Sequence, residues 1–191
     1  QEHSGSFIVF HDRTLERLTE DSGELQSKPL ATLLKLELIG GGRIPLLQDV
    51  LKLLPGKAAL NIELKGSGFE EKLTAFLNKH LPEAGINTDQ ILLSNEERES
   101  LLALKKLGPN FPLGLVVRDD LKDAVNFALE HGISYLSVKH TLIDFPLQET
   151  PWSDKITVLA YTVNELQQAK ELSLNGVSGV FSDYPQRFQS Y

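Results

Sequence analysis

The stretch Ala58–Gly66, which reads AALNIELKG, decides how this chain is interpreted, because an apolar run ends there in two opposite charges and a glycine. In a β-strand, residues two apart point to the same face, so Glu63 and Lys65 project together. Ile62 and Leu64 then pack on the other side. Strands buried in a parallel sheet are usually apolar throughout, so charges at the carboxyl end need an explanation. We expect either a structural salt bridge or a binding site at the end of this strand.

Apolar runs alternate with helical stripes on both sides of this stretch. The predicted strands cover residues 58–64, 90–94, 112–117, 133–138, 156–161 and 177–181, and the predicted helices cover 46–54, 69–81, 96–107, 121–129 and 164–174. We expect Pro82 and Gly85 to stop the helix over 69–81, and residues 140–155 to be mostly loop. Upstream, Phe7–Phe10 predicts the return arm of a hairpin, and Pro29–Leu36 predicts a short helix.

This alternation predicts an α/β fold with a parallel sheet, either an open doubly wound sheet or a (β/α)8 barrel. Polar residues favour the barrel, because they fall at the C-terminal ends of different predicted strands, and a barrel collects those ends at one mouth. These residues are Glu63, Lys65, Ser94, Lys139, Thr162 and Asp183. Yet 191 residues and six predicted strands fall short of the eight strands and roughly 250 residues of a typical barrel.

Length and composition bound the class of protein. A chain of 191 residues suits one core, so we expect a single, partial barrel domain over residues 1–191. The net charge of −7, from 19 basic and 26 acidic residues, speaks against nucleic-acid binding. No apolar run reaches the ~18 residues of a transmembrane helix, so no membrane span is expected. The absence of cysteine excludes disulfides and thiol catalysis.

The first residues predict little about location. Gln1–Gly5 has neither the basic nor the apolar region of a secretory signal, and the chain contains no methionine. We therefore expect the native start to lie upstream of Gln1. The predicted location is cytoplasmic, or periplasmic if a signal lies upstream of Gln1.

Three residues carry candidate chemistry. Glu63 offers a hard oxygen ligand for Mg²⁺ or Ca²⁺, although one carboxylate does not make a metal site. His11, which ends the run Phe7–Phe10 and precedes an aspartate, is a candidate general acid or base. Lys65 has two functional interpretations besides the salt bridge: contact with a substrate phosphate, or Schiff-base chemistry as in an aldolase.

Five motifs in order carry a resemblance to a known family. They are FIVFHD at 7–12 with LERLT at 15–19, IPLL at 44–47, NIELK at 61–65, YTVN at 161–164 and GVSGVFSDYP at 176–185. Together they span essentially the whole chain, and they resemble the glycerophosphodiester phosphodiesterase family.

The resemblance implies a TIM (β/α)8 barrel of the phospholipase C-like phosphodiesterase type. It also implies hydrolysis of glycerophosphodiesters to sn-glycerol 3-phosphate and an alcohol, with a divalent cation, Mg²⁺ or Ca²⁺, as cofactor. By motif, His11 resembles the family's second catalytic histidine, which protonates the leaving alcohol, and Glu63 resembles its metal-binding glutamate. Lys65 resembles a residue of the phosphate site. Tyr161 stands where the family often has tryptophan and suits the glycerol side of the pocket.

The chain departs from the family pattern in two places. Ser94-Asn95 stands where the family usually has serine and phenylalanine, which puts the second residue's pocket contact in doubt. The family's opening His-Arg-Gly and Glu-x-Asp segments do not precede Gln1, and Gln1–Gly5 corresponds to the hairpin just past them. The first two βα units are therefore expected to be absent from this sequence, and with them one catalytic histidine and two metal carboxylates.

Two hypotheses follow from this departure. The residues are either a segment of an active enzyme, or a shortened barrel that has lost catalysis and acts as a phosphoester-binding or interaction module. A shortened barrel leaves two unpaired strand edges that a partner or a dimer would have to cover, so the oligomeric state stays open.

Overall fold

The computed structural model describes residues 6–54, 58–108 and 111–188. The hairpin expected at Gln1–Gly5 and the helix end expected at Pro55-Gly56 lie outside these residues.

Six parallel strands form one sheet whose spatial order is the order of the chain. The strands are β1 (Leu60–Glu63), β2 (Ile91–Asn95), β3 (Leu113–Val117), β4 (Tyr135–Lys139), β5 (Thr157–Tyr161) and β6 (Gly179–Val180). A doubly wound sheet reverses its strand order at a switch point, whereas a barrel adds each strand beside the last. The sheet is curled into a half-barrel, so the predicted barrel type, shortened to six strands, is confirmed.

Of the described helices, the first two precede β1, and the other four connect successive strands and cover the outer face of the sheet. The helices are α1 (Leu30–Leu33), α2 (Leu47–Leu51), α3 (Glu70–Ala84), α4 (Arg98–Lys106), α5 (Leu121–His131) and α6 (Leu166–Leu174). Short 3₁₀ turns lie at Leu25–Ser27, Thr88–Gln90, His140–Leu142, Leu147–Glu149 and Pro185–Phe188. Only 3₁₀ turns join β4 to β5. Helix α5 shows why these segments are helical: Asp120 caps its first turn by accepting from the Asp123 N–H, and Gly132 ends it at φ +60°.

The two faces of the sheet differ in chemistry. Residues of the outer face are buried against the helices: Leu93, Leu115, Val117, Leu136, Val138, Val158 and Ala160. Strand register places Glu63 beside Ser94 and Ser94 beside Gly114, so these positions share the inner face. The apolar runs therefore form the outer core, and the polar residues between them point to the inside of the half-barrel. At the end of β5, the peptide bond between Tyr161 and Thr162 is cis.

The predicted end of the helix over 69–81 is wrong at Pro82 and correct at Gly85. Helix α3 continues through Pro82 and ends at Gly85, which has φ +68° and donates its N–H to the carbonyls of Leu81 and Pro82. Proline removes one helical hydrogen bond, but it lies in the last turn, where Leu77 and Leu81 are fully buried in the core. Packing of the apolar stripe therefore decides the length of the helix, and the left-handed glycine ends it.

The segment Phe7–Phe10 also differs from its prediction. It is not a full strand, because Ile8 alone forms an antiparallel bridge, to Leu46. The Val9 N–H donates to the Pro45 carbonyl, and the Leu47 N–H donates to the Phe7 carbonyl. The described partner of this segment is therefore the residues just before α2. Helix α1, at Leu30–Leu33, is likewise shorter than predicted.

A small apolar cluster supports the region between residues 8 and 44. Leu15, Leu33 and Ile44 are almost fully buried and pack with Ile8 and Phe10. This cluster is separate from the main core, and it includes Ile8 and Phe10, which precede His11 in the chain. In the described ranges, no helix has the length and apolar character needed to cross a bilayer.

Candidate active site

A cleft of about 820 Å³ lies at the carboxyl end of β1. His11 and Asp12 line it from the N-terminal segment, and Glu63 and Lys65 line it from the end of β1. The structure therefore brings together three of the four predicted site residues. Tyr161, the fourth, lies on β5 and is not among the residues that line this cleft.

Glu63 and Lys65 form an ion pair, with 2.6 Å between Lys65 Nζ and Glu63 Oε1. Their side chains are 29% and 28% exposed, so water and ligands reach a pair that is mostly covered. The shared face predicted from the strand alternation is confirmed. A ligand at this site meets an ammonium and a carboxylate held against each other.

His11 is held by Asp12, with 2.6 Å between Nδ1 and Oδ1. Arg17 donates two hydrogen bonds to the same carboxylate, from Nε to Oδ2 at 2.6 Å and from Nη2 to Oδ1 at 2.8 Å. The hydrogen bond from Arg17, and then that from His11, hold the pKa of Asp12 far below its usual range. Because an ionised carboxylate only accepts, His11 donates its Nδ1–H, which leaves Nε2 free to exchange protons with a ligand.

An ion pair joins the ends of the next two strands. Arg118, just after β3, donates from Nε to Oε2 of Glu96 at 2.5 Å, and this hydrogen bond raises the pKa of Arg118. The charge of Glu63 also raises it, which places Arg118 within electrostatic range of the cleft. Neither Glu96 nor Arg118 was predicted as a site residue. Their position directly after two apolar runs was a signal that could have found them.

Tyr161 uses its hydroxyl within the protein. The O–H donates to the Val117 carbonyl at 2.9 Å, and burial raises the pKa of the phenol above its ordinary value of 10.0. The charges of Arg118 and Glu63 also act on it. Tyr161 therefore ties β5 to β3 near the site.

The end of β6 reaches the other side of the N-terminal segment. Asn164 donates from Nδ2 to Asp183 Oδ2 at 3.0 Å and accepts from the Asp183 N–H at 2.9 Å. The charge of Asp183 contributes to the raised pKa of Arg17, so this carboxylate faces the group that clamps Asp12. The segment with His11 thus lies at the mouth between the first and last strands.

Comparison with known proteins identifies the family. Residues 3–187 match the model of the glycerophosphoryl diester phosphodiesterase family. The chain belongs to this family. The family and the enzyme class predicted from the motifs, glycerophosphodiester phosphodiesterase, are confirmed.

Three relatives show how far the likeness extends. A glycerophosphodiester phosphodiesterase of Caldanaerobacter subterraneus subsp. tengcongensis is 27% identical over 95% of this chain and 78% of its own length. One from Bacillus subtilis is 28% identical over 96% of this chain and 71% of its own. The structure of an Oleispira antarctica phosphodiesterase in complex with the product sn-glycerol-3-phosphate superposes with a TM-score of 0.83 at 28% identity, covering 99% of this chain and 80% of that one.

The divalent cation implied by the family resemblance needs several oxygen ligands. No group of three His, Cys, Asp or Glu side chains that could hold a metal ion occurs among residues 6–54, 58–108 and 111–188. Glu63 contributes one carboxylate, and one of its oxygens already contacts Lys65. The described residues alone do not fit the cation, and no catalytic step is assigned to it.

Asn95 clarifies a departure from the family pattern. Its side chain is fully buried and does not line the cleft, whereas Ser94 donates from Oγ to Asn61 Oδ1 at 2.9 Å. The pocket contact that the sequence put in doubt at this position is therefore absent from the cleft wall.

Proposed function

We propose that this member of the glycerophosphoryl diester phosphodiesterase family hydrolyses glycerophosphodiesters to sn-glycerol 3-phosphate and an alcohol. The observation that carries the proposal is one cleft lined by His11, Glu63 and Lys65, in a chain whose family membership spans residues 3–187. The product in the Oleispira antarctica structure supports the same chemistry.

Two cleft residues, Lys65 and His11, have roles that their contacts support. Lys65 supplies a positive charge for the phosphate, which is bound as an anion. His11, aligned through Nδ1 by Asp12, gives a proton from Nε2 to the oxygen of the leaving alcohol. The bond between phosphorus and that oxygen breaks, water forms the new bond to phosphorus, and the proton that the water loses replaces the one that His11 gave. Tyr161 remains a predicted substrate-binding residue on the glycerol side, through its ring rather than its bonded hydroxyl.

The cofactor prediction, Mg²⁺ or Ca²⁺ with Glu63 as a ligand, stays a prediction. Its support is the carboxylate at the end of β1, and its weakness is the lack of companion carboxylates among the described residues. The predicted single domain, the cytoplasmic or periplasmic location and the oligomeric state, a dimer included, also stay predictions.

That incomplete ligand set favours a second candidate, a phosphoester-binding module without catalysis. Lys65 and His11, which line the same cleft, are suited to hold a phosphate monoester without hydrolysing a diester. The Schiff-base alternative is less well supported. Lys65 is paired with a carboxylate as an ammonium group, whereas an aldolase needs the neutral amine.

Hydrolysis and binding measured on one purified sample separate the candidates. Release of sn-glycerol 3-phosphate from glycerophosphodiesters is assayed with Mg²⁺, with Ca²⁺ and with EDTA, and binding of sn-glycerol 3-phosphate is measured by calorimetry. We expect release of sn-glycerol 3-phosphate that is lost in Glu63→Gln and in His11→Ala. Activity retained in both variants contradicts the mechanism, whereas activity unchanged by EDTA contradicts only the cofactor prediction. Binding without hydrolysis supports the module.

A further inference from the structure

The loop that follows Lys65 has almost no side chains with which to hold itself in place. It consists of Gly66, Ser67 and Gly68, and all three line the cleft. Gly66 has φ +105° and Gly68 has φ +87°, a left-handed conformation that favours glycine. Such a loop keeps a single shape only if its backbone groups are bonded from outside.

Asn95 provides one of those bonds. It is the last residue of β2, and its relative exposure is 0%. Its Nδ2 donates to the Gly66 carbonyl at 3.0 Å, and its Oδ1 accepts from the Glu97 N–H at 2.9 Å. The last backbone bond between the two strands runs from the Leu64 N–H to the Ser94 carbonyl at 2.7 Å. The side chain of Asn95 thus extends the pairing of β1 and β2 beyond the point where the backbone ladder ends.

Glu70 provides the second bond. Its buried carboxylate accepts from the Gly68 N–H at 2.8 Å through Oε2 and from Ser100 Oγ at 2.5 Å through Oε1. Ser100 belongs to α4, so this anchor joins the loop to two helices. The loop is therefore bonded at both glycines, to β2 at one and to α3 and α4 at the other.

We propose that Asn95 is a positioning residue that holds the Glu63–Lys65 end of β1 in place through the Gly66 carbonyl. The inference rests on the proposed function for its kinetic consequence, but not for its structural one. The bond falls one residue beyond Lys65, so its loss frees the backbone that aims the ammonium group. A partly buried carbonyl that loses its donor is also unfavourable, which favours conformations of the loop in which water reaches that carbonyl. Small displacements of groups that orient a substrate have large effects on rate.

The sharpest variant is Asn95→Asp, because it removes the donor to Gly66 while it keeps the acceptor for the Glu97 N–H. Amide hydrogen exchange followed by NMR tests both consequences: the Glu97 amide reports the bond that is kept, and the Gly68 amide, which donates to Glu70, reports how often the loop opens once its other anchor is lost. We expect the Gly68 amide to exchange roughly tenfold faster, and the Glu97 amide to keep its protection. Val125→Ala, in α5, is the control, since it removes buried apolar volume without touching the loop. Val125→Ala should lower Tm, but the exchange rate of the Gly68 amide, compared with the rates of neighbouring amides, should stay unchanged.

The wild-type protein keeps the proposal testable if Asn95→Asp does not fold. The side-chain amide protons of Asn95 should exchange at least about tenfold more slowly than those of Asn126, which is exposed on α5. Equal exchange of the two side chains overturns the proposal. It is also overturned if Asn95→Asp leaves the Gly68 amide unchanged, or if Val125→Ala has the same local effect.

Kinetics give a readout that a purely structural role would not move. For a glycerophosphodiester, Asn95→Asp should raise KM about tenfold with a smaller change in kcat, whereas Val125→Ala should leave KM unchanged at a temperature where both are folded. An unchanged KM in Asn95→Asp overturns the positioning role. If the wild-type protein neither hydrolyses nor binds the substrate, the proposed function fails, and the exchange result alone then supports or overturns the proposal.

Discussion

His11 Nδ1 lies 2.6 Å from Oδ1 of Asp12, its neighbour in the sequence. Arg17 donates hydrogen bonds to both oxygens of the same carboxylate. The aspartate is therefore ionised and fixed, and it fixes the imidazole in turn. The His11 side chain is 67% exposed, so the orientation comes from this pair rather than from burial.

Removing the imidazole should cost far more activity than altering its partner. We expect His11→Ala to lower kcat by roughly 10²- to 10⁴-fold, the usual contribution of a general acid. Asp12→Asn should cause a smaller loss, since it weakens the orientation but keeps the imidazole. Rates of sn-glycerol 3-phosphate release measure both, with His80→Ala on α3 as the control. An Asp12→Asn enzyme with wild-type kcat would show that the contact does not align His11.

Asp12 should stay ionised, and keep its contribution to stability, from neutral pH down to strong acid. A carboxyl whose pKa is lowered by folding contributes stability above its unfolded pKa of about 3.8 and loses it as pH falls through the folded value. We therefore expect Asp12→Asn to reduce stability at neutral pH and the difference from wild type to vanish only in strong acid. Urea unfolding at several pH values checks this. A difference that vanishes by pH 5 contradicts the lowered pKa.

Tyr161 should contribute to stability with a pH dependence opposite to that of Asp12. Burial raises its pKa, so its contribution to stability is full below pH 10 and is lost as pH rises through the folded value. Tyr161→Phe should lower the free energy of unfolding by about 1 kcal/mol at neutral pH, because the Val117 carbonyl loses its donor. In a titration followed by phenolate absorbance, this variant should lack the step that occurs at the highest pH in the wild-type protein. An unchanged titration would show that Tyr161 ionises normally.

Lys65 should act through binding. Lys65→Met removes the charge and keeps most of the length, so we expect KM for a glycerophosphodiester to rise at least about tenfold. Lys52→Met, at an exposed ion pair with Asp49, is the charge-matched control. Treatment with borohydride and a carbonyl substrate should add no mass at Lys65. A covalent adduct there would instead support the Schiff-base alternative.

The corrected end of α3 has a measurable consequence. Gly85 has φ +68°, where an L side chain is strained, so Gly85→Ala should destabilise the protein by about 1 kcal/mol. Glu83→Ala, exposed on the same turn, should have an effect near zero. Urea unfolding of both variants tests the boundary. Equal stability of the two would favour the shorter helix that ends before Pro82.

The sequence predicted the sheet well, and for a physical reason. Buried parallel strands are apolar runs of limited length, and each of the six was recognisable between helical stripes. The shared face of Glu63 and Lys65 followed from strand geometry alone. Helix ends were less predictable. Pro82 is a local signal, and the burial of Leu77 and Leu81, a tertiary property, outweighs it.

The site was predicted in part. Motif resemblance selected His11, Glu63 and Lys65, which the fold brings into one cleft although 52 positions separate His11 from Glu63. It did not select Arg17 as the clamp on Asp12, nor the pair of Arg118 with Glu96. The local sequence pattern around these residues does not indicate which side chain each of them contacts.

By itself, the sequence determined the order of strands and helices, the face that Glu63 and Lys65 share, and the family, because these depend on periodicity and on short motifs. The tertiary structure alone decided that the Asn95 amide holds the Gly66 carbonyl and that the Tyr161 hydroxyl is used by Val117. These bonds bridge 29 and 44 residues along the chain. Hydrogen bonds at such separations depend on strand register and on the curvature of the sheet, which no local stretch of the chain specifies.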